Sequence, residues 1–140
     1  MAAAAFSVDG VWRTPSMAAA AMEPHAAVAE WQDDRVTIRA SMQMLSSNRA
    51  QMADSLGIAE EKVRLLAPYV GGGFGSKLGI NAEAVAAAVA ARDLGRPVSV
   101  TMTRPQVFDL SHRRSETRQR ILLACNAEGR LTGIGHEAVS

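Results

Sequence analysis

Two neighbouring segments alternate apolar and polar residues at every second position: HAAVAEW from His25 to Trp31 and RVTIRAS from Arg35 to Ser41. A strand with one buried face needs that alternation, and the polar Gln32, Asp33 and Asp34 between the segments suit a turn, so a β-hairpin is expected. Ser46 to Leu56 then takes helical spacing, with Ala50, Ala53 and Leu56 on related faces, Ser46 or Ser47 as a cap and Gly57 as a stop. The apolar run VRLLAPYV, within Glu60 to Val70, suits a buried strand. Pro68 lacks an N–H, so that strand must lie at an edge or end there.

A second helix is expected from Asn81 to Leu94, closed by Gly95 with Pro97 just beyond. PVSVTMT (Pro97 to Thr103) reads as a strand, and Arg104-Pro105 opens a short helical segment to about Leu110. Thr117 to Cys125 and Leu131 to Ser140 form a closing hairpin, with Gly129 where a positive φ is expected. The first 22 residues show no clear period and are expected as an extended arm, residues 23–140 as the domain. The order β-β-α-β-α-β-(α)-β-β predicts an α+β fold, a mixed sheet with helices packed on one face.

Composition narrows the function more than the fold. The chain has 140 residues, 48% apolar and 21% charged, which describes an ordinary globular domain. A formal charge of +1 argues against an electrostatic nucleic-acid binder, and no apolar run reaches the ~18 residues of a membrane span. MAAAAFSVDG lacks the basic and apolar regions of a secretory signal. Cys125 is the only cysteine, expected as a small buried core residue, and His25, His112 and His136 are too dispersed to suggest a zinc site. The alanine clusters, Ala84 to Ala91 among them, are most simply a compositional bias.

The stretch richest in chemistry is VGGGFGSK, Val70 to Lys77, between an expected strand and helix. Glycines permit positive φ and let backbone N–H groups approach an anion or a flat ligand closely. It is not a Walker A loop, because Ser76 precedes Lys77 and Leu78 follows it. It is a poor dinucleotide fingerprint too: counting from Gly71, Ser76 stands where the last glycine belongs, and the acidic ribose ligand could only be Asp93. A tight strand-to-helix turn is the plain alternative. Four glycines in five positions around an aromatic exceed what a turn needs, so a binding role is favoured.

GGGFGSK is similar to the glycine loop of the molybdenum-binding subunits of the xanthine dehydrogenase/aldehyde oxidase family. Four more markers resemble that family in order: AMEPHAAVAEW (Ala21 to Trp31), Ser41-Met42-Gln43 where the family has Ser-Thr-Gln, LGRPVSVTMTR (Leu94 to Arg104) and HRRSETRQR (His112 to Arg120). The resemblance runs from about Val8 to Ser140. It implies a molybdenum–molybdopterin cofactor, with or without a nucleotide extension, lying near Gln43, Gly72, Gly73, Phe74 and Gly75. Gln43 would donate a hydrogen bond to the oxo group, and Phe74 and Gly75 would approach the cofactor through their backbones. Arg113 or Arg114 would orient substrate.

Leu78 stands where purine-oxidising relatives carry a glutamate, which points to aldehydes or apolar aromatic heterocycles as substrates. Met42 replaces the usual threonine, Ser115 the usual proline, and Ala18 to Ala21 a His-rich approach to Met22. The family's general-base glutamate belongs to its second cofactor-binding half, so no catalytic residue is expected here. Glu83, close after the loop, reads most simply as a solvated helix residue. FAD and iron–sulfur clusters are expected only on partner domains or subunits, beside the remainder of the molybdenum subunit. The resemblance thus implies a fragment of a molybdenum hydroxylase that inserts water-derived oxygen into a C–H bond, inactive alone. The cytoplasm is the expected compartment, with the periplasm open to the family. Two readings of another class stay open: a non-catalytic module that binds cofactor or a partner without turnover, and a scaffold that binds nothing.

Overall fold

The computed structural model describes residues 4–140. The chain divides into two contact units, one of Ala18–Arg113, the other of the residues up to Met17 together with Arg114–Ser140.

In the first unit the expected hairpin is present as β3 (Ala26–Gln32) and β4 (Arg35–Ala40), following β1 (Phe6–Thr14) and the short β2 (Met17–Ala18) in chain order. Gln32 pairs with Arg35, so the turn is Asp33-Asp34, and Asp33 takes φ 54°. Asp is among the few side chains that tolerate this left-handed conformation, because its short polar group can bond locally. β5 (Val63–Leu66) adds in parallel to β4, and β6 (Val98–Thr101) pairs antiparallel with β3, giving the mixed sheet β5-β4-β3-β6. β5 is an edge strand and stops before Pro68, as a residue without an N–H demands. The expected strand is shorter than read, because a 3-10 turn occupies Glu60–Lys62.

Both long helices, α1 (Leu45–Leu56) and α2 (Ala82–Leu94), cover one face of this sheet. Ala27, Ala29, Val36, Ile38, Val63 and Leu65 point into that core, whereas Glu30 and Arg39 pair at 2.8 Å on the other face. α1 ends in left-handed Gly57 and α2 in left-handed Gly95, as expected. The serine cap expected on α1 is absent: Met44 holds the cap position, and Ser47 Oγ donates back to the Met44 carbonyl at 3.3 Å. The run Ala84, Ala87, Ala88, Ala91 is buried against the sheet, and Trp31 Nε1 donates to the Ala88 carbonyl at 2.8 Å. Close helix–sheet approach, not composition alone, therefore accounts for these alanines. α3 (Arg104–Leu110) starts with Thr103 and Gln106 in a reciprocal capping box.

The second unit is a three-stranded antiparallel sheet, β1-β8-β9, with β8 (Thr117–Cys125) and β9 (Leu131–Val139) joined through Gly129 at φ 78°; the short β7 (Arg113–Arg114) precedes them. The closing hairpin thus belongs to a sheet of its own. Within the expected arm, Phe6–Thr14 is a full strand, in register with β8 from Phe6↔Cys125 to Thr14↔Thr117. Asp9 accepts three bonds from Arg120 on that sheet, which hold its carboxyl below the usual carboxylate range. Cys125 is a free thiol and only half-buried. No helix of the described residues is long and apolar enough to cross a membrane.

Candidate functional site

The glycine loop lies between β5 and α2, and its glycines answer different demands. Gly72 and Gly75 take φ +96°, a conformation that side chains rarely adopt, and Phe74 between them is itself left-handed at φ 51°. Gly71 and Gly73 are required by space. A Cβ on Gly71 would sit 2.6 Å from the Glu23 Cβ, and one on Gly73 would sit 2.3 Å from the Gln43 Oε1. The chain therefore doubles back tightly enough to press backbone against two side chains supplied from elsewhere.

The first is Glu23. Its Oε2 accepts from the Gly71 N–H at 2.7 Å, the Ser41 hydroxyl at 2.7 Å and the Lys77 ammonium at 2.5 Å. Lys77 is fully buried and also donates to Ser41 Oγ at 3.0 Å. A buried ammonium needs such a counter-charge, since its desolvation costs several kcal/mol. Burial by itself would raise the Glu23 carboxyl, but the bonds from Lys77, Ser41 and Gly71 outweigh it and hold the group below its ordinary value. Arg104 fixes the approach to Glu23 by donating to the Ala21 carbonyl at 2.7 Å and the Met22 carbonyl at 2.6 Å.

The second is Gln43. Its Oε1 accepts from the Gly75 N–H at 3.1 Å and the Lys77 N–H at 3.3 Å, and its own N–H donates to the Lys77 carbonyl at 2.8 Å. With the oxygen so engaged, Nε2 is left as a donor without a partner among the described residues. The N–H groups of Gly72, Gly73 and Phe74 are likewise without acceptors among the described residues, although Gly73 is buried. N–H groups that the loop does not itself use are open to an acceptor from outside. The Phe74 ring beside them is 66% exposed. Backbone donors, one oriented amide and a flat apolar ring suit a ligand with oxygen acceptors and a planar body. They do not suit a bare cation, and no group of three His, Cys, Asp or Glu that could hold one exists among the described residues.

The five residues Gln43, Gly72, Gly73, Phe74 and Gly75 are thus brought together in one place. Leu78 is half-exposed at the end of the loop, within 3.9 Å of where a Cβ on Gly75 would lie. Asn48, fully buried on α1, supports it by donating to the Leu78 carbonyl at 2.7 Å when its amide is so oriented. Arg113 is turned to the Phe108 carbonyl and lies 3.8 Å from Asp109, so its guanidinium is engaged by α3. Arg114 belongs to the other unit, where its carbonyl accepts from Ser16 Oγ at 3.1 Å. From that basic stretch it is His112 that reaches the loop: its ring lies 3.0 Å from where a Cβ on Gly79 would be, and Nδ1 meets Asn81 Oδ1 at 3.3 Å.

Sequence reading assigned no role to Glu23, Ser41, His25, Lys77 or Arg104. Their one legible signal was opposite charge in two markers 54 residues apart, Glu23 and Lys77. His25 is buried beneath the loop. Its Nε2 donates to the Ser76 carbonyl at 3.3 Å, burial pushes its pKa down, and Nδ1 has no partner among the described residues.

Glu83 corrects an expectation. It is not solvated but 4% exposed, because the first turn of α2 points it inward with Ala84 and Ala87. Burial pushes its carboxyl above the ordinary value, partly offset by a backbone hydrogen bond and by Lys77, and its Oε2 has no partner among the described residues. A folded pKa raised above the unfolded one gives stability that is complete at acid pH and lost as pH rises through the folded value. Glu83→Gln is therefore expected to raise the thermal midpoint at pH 7, with the gain vanishing near pH 4. Melting curves at the two pH values check both the sign and its disappearance.

Comparison with known proteins places this chain in a family. The model of the molybdopterin cofactor-binding domain matches residues 1–140. The aldehyde oxidoreductase molybdenum-binding subunit PaoC of Escherichia coli (strain K12) is 39% identical over 98% of this chain, which spans 19% of that protein. The putative xanthine dehydrogenase molybdenum-binding subunit XdhA of the same strain is 32% identical over 99% of this chain and 18% of its own length. Among solved structures, quinoline 2-oxidoreductase from Pseudomonas putida 86 superposes with a TM-score of 0.90 at 28% identity, over 99% of this chain and 18% of that one. The chain therefore spans about a fifth of the length of the relatives it matches.

Proposed function

The chain belongs to the molybdopterin cofactor-binding domain family of xanthine dehydrogenase and aldehyde oxidoreductase molybdenum subunits, and from that membership we propose that it forms one wall of a molybdenum hydroxylase site. Residues 23–140 act as part of the cofactor-binding domain, with Gln43, Gly72, Gly73, Phe74 and Gly75 against the molybdenum–molybdopterin group. When bound, that group supplies oxygen transfer to a substrate C–H bond and accepts the electron pair. The observation that carries the reading is the Gln43 amide: two loop N–H groups hold its oxygen, which leaves its NH2 as an oriented, uncharged donor. The unpaired N–H groups of Gly72, Gly73 and Phe74 supply further donors for the oxygens of the same group.

On the substrate side we place Leu78; the Arg113 guanidinium is engaged at α3 instead. An apolar Leu78 cannot hydrogen-bond a purine nitrogen, so an aldehyde or an apolar aromatic heterocycle is the substrate class. The relatives named for aldehyde and quinoline oxidation lend that choice support. The proton-abstracting base comes from the remainder of the molybdenum subunit, since Glu83 is buried in the helix–sheet core. Iron–sulfur and flavin partners carry the electrons away.

The test is native mass and molybdenum content of the chain isolated from its own source. A molybdenum-bearing complex several times heavier than 14.8 kDa is expected, together with no aldehyde oxidation by the purified chain alone with an artificial acceptor. A metal-free chain that takes up no molybdenum would leave the binding-nothing scaffold as the correct reading. Turnover by the isolated chain would refute the missing base.

A further inference from the structure

We propose that Glu23 is the positioning residue of the glycine loop: one carboxylate oxygen ties down both ends of the loop and so sets the aim of the Gln43 amide. The loop begins at Gly71 and ends at Lys77, and Glu23 Oε2 takes the N–H of the first at 2.7 Å and the ammonium of the second at 2.5 Å. The Glu23 N–H returns a longer bond, 3.5 Å, to the Gly71 carbonyl. Ser41 completes the clamp from the end of β4, two residues before Gln43, donating to Glu23 and accepting from Lys77.

Holding Lys77 in place holds its backbone N–H and carbonyl, and both of these bond to Gln43. The path from Glu23 to the free Nε2 donor therefore runs through contacts of 3.3 Å or less. Glu23 itself does not need to touch the cofactor. The relevance of the clamp to chemistry rests on the function proposed above; the clamp as such does not.

Lys77 is the charge facing Glu23; the titratable His25 lies beside Glu23, Lys77 and Arg104, and Glu83 faces Lys77. His25 is neutral by burial, and protonating it preserves its bond to Ser76, so acid acts on the clamp through Glu23. A carboxyl held below its ordinary value keeps the clamp intact above that value and releases it as pH falls.

Amide hydrogen exchange on this chain tests the proposal without any cofactor. Glu23→Gln should raise exchange at Gly71, Gly75 and Lys77 by roughly tenfold, the loss of one charge-assisted bond. The amides of Ala29 and Ile38 in the sheet core should keep their protection. Lys77→Met should free Gly75 and the amide at position 77 while Gly71, still bonded to the carboxylate, stays protected. A uniform rise that includes Ala29 and Ile38 would make Glu23 a general stability residue and overturn the proposal, as would unchanged exchange at Gly75.

Should Glu23→Gln fail to fold, protection factors of the wild-type chain decide. Those of Gly75 and Lys77 should fall below the ordinary carboxylate range before those of Ala29 and Ile38; simultaneous loss would refute the clamp. Failure here leaves the cofactor assignment standing, and failure to take up molybdenum leaves the clamp standing.

Discussion

Gly73→Val is expected to hold the glycine loop open, raising exchange at the Gly75 and Lys77 amides ten- to a hundredfold and lowering molybdenum content in the assembled enzyme at least tenfold. A Cβ at position 73 would lie 2.3 Å from Gln43 Oε1, 2.5 Å from its Cδ and 2.9 Å from its Cγ, so the Gln43 side chain must leave. Leaving breaks its bonds to the Gly75 and Lys77 N–H groups. At about 0.5–1.5 kcal/mol net for each hydrogen bond, the closed loop loses about 1–3 kcal/mol, which brackets the tenfold-to-hundredfold range. The amide that the function needs is displaced by the same movement. Gly57→Ala is the control: it adds a Cβ to a glycine outside the loop, with nothing within 4 Å of that Cβ, so the loop amides should not respond. Equal exchange at Gly75 in Gly73→Val and wild type would sink the packing argument.

Ala88→Leu should lower the thermal midpoint by roughly 5 °C or more without changing the loop contacts to Gln43. Ala88 is fully buried on α2, and its carbonyl accepts from Trp31 Nε1 at 2.8 Å across to β3. A leucine there must push the helix off the sheet or take a strained rotamer, and insertion of methylenes into a packed core costs about 1–3 kcal/mol. Arg92, one turn further, stacks over the same Trp31 ring at 5.8 Å, so the displacement is expected to loosen that contact too. Thermal melts with tryptophan fluorescence as the probe report both. A midpoint unchanged within one degree would mean that α2 is not packed as tightly as its alanines indicate.

Together these two substitutions separate what the chain needs for its fold from what it needs for its site. The sheet and its helices rest on side chains that are small because space is short. The loop rests on glycines, two that are small for the same reason and two that take a backbone angle side chains rarely adopt. The loop, through its contacts to Glu23 and Gln43 and its own N–H donors, bears on the proposed cofactor; the helix packing does not. Substitution in α2 should therefore cost stability before it costs cofactor binding, and substitution at Gly73 the reverse.

Much was legible in the sequence alone, and the reason is range. Alternation at period two located β3 and β4 to within a residue, because side chains on successive strand positions point to opposite faces. Gly57, Gly95 and Gly129 marked their turns because a positive φ is a demand made at a single position. The density of glycines before α2 marked the loop for the same local reason. Tertiary structure decided what depends on partners far along the chain. Phe6–Thr14 becomes a strand only because Thr117–Cys125 lies beside it, more than a hundred residues later. Glu83 is buried because tertiary packing covers the first turn of α2, and no period within a thirteen-residue helix reveals that. Glu23, Ser41 and Lys77 meet across up to 54 residues, and Gln43 acquires its orientation from the loop it touches. Local conformational preference is written into neighbouring residues, whereas the pairing of a buried charge is settled only when the chain has closed around it.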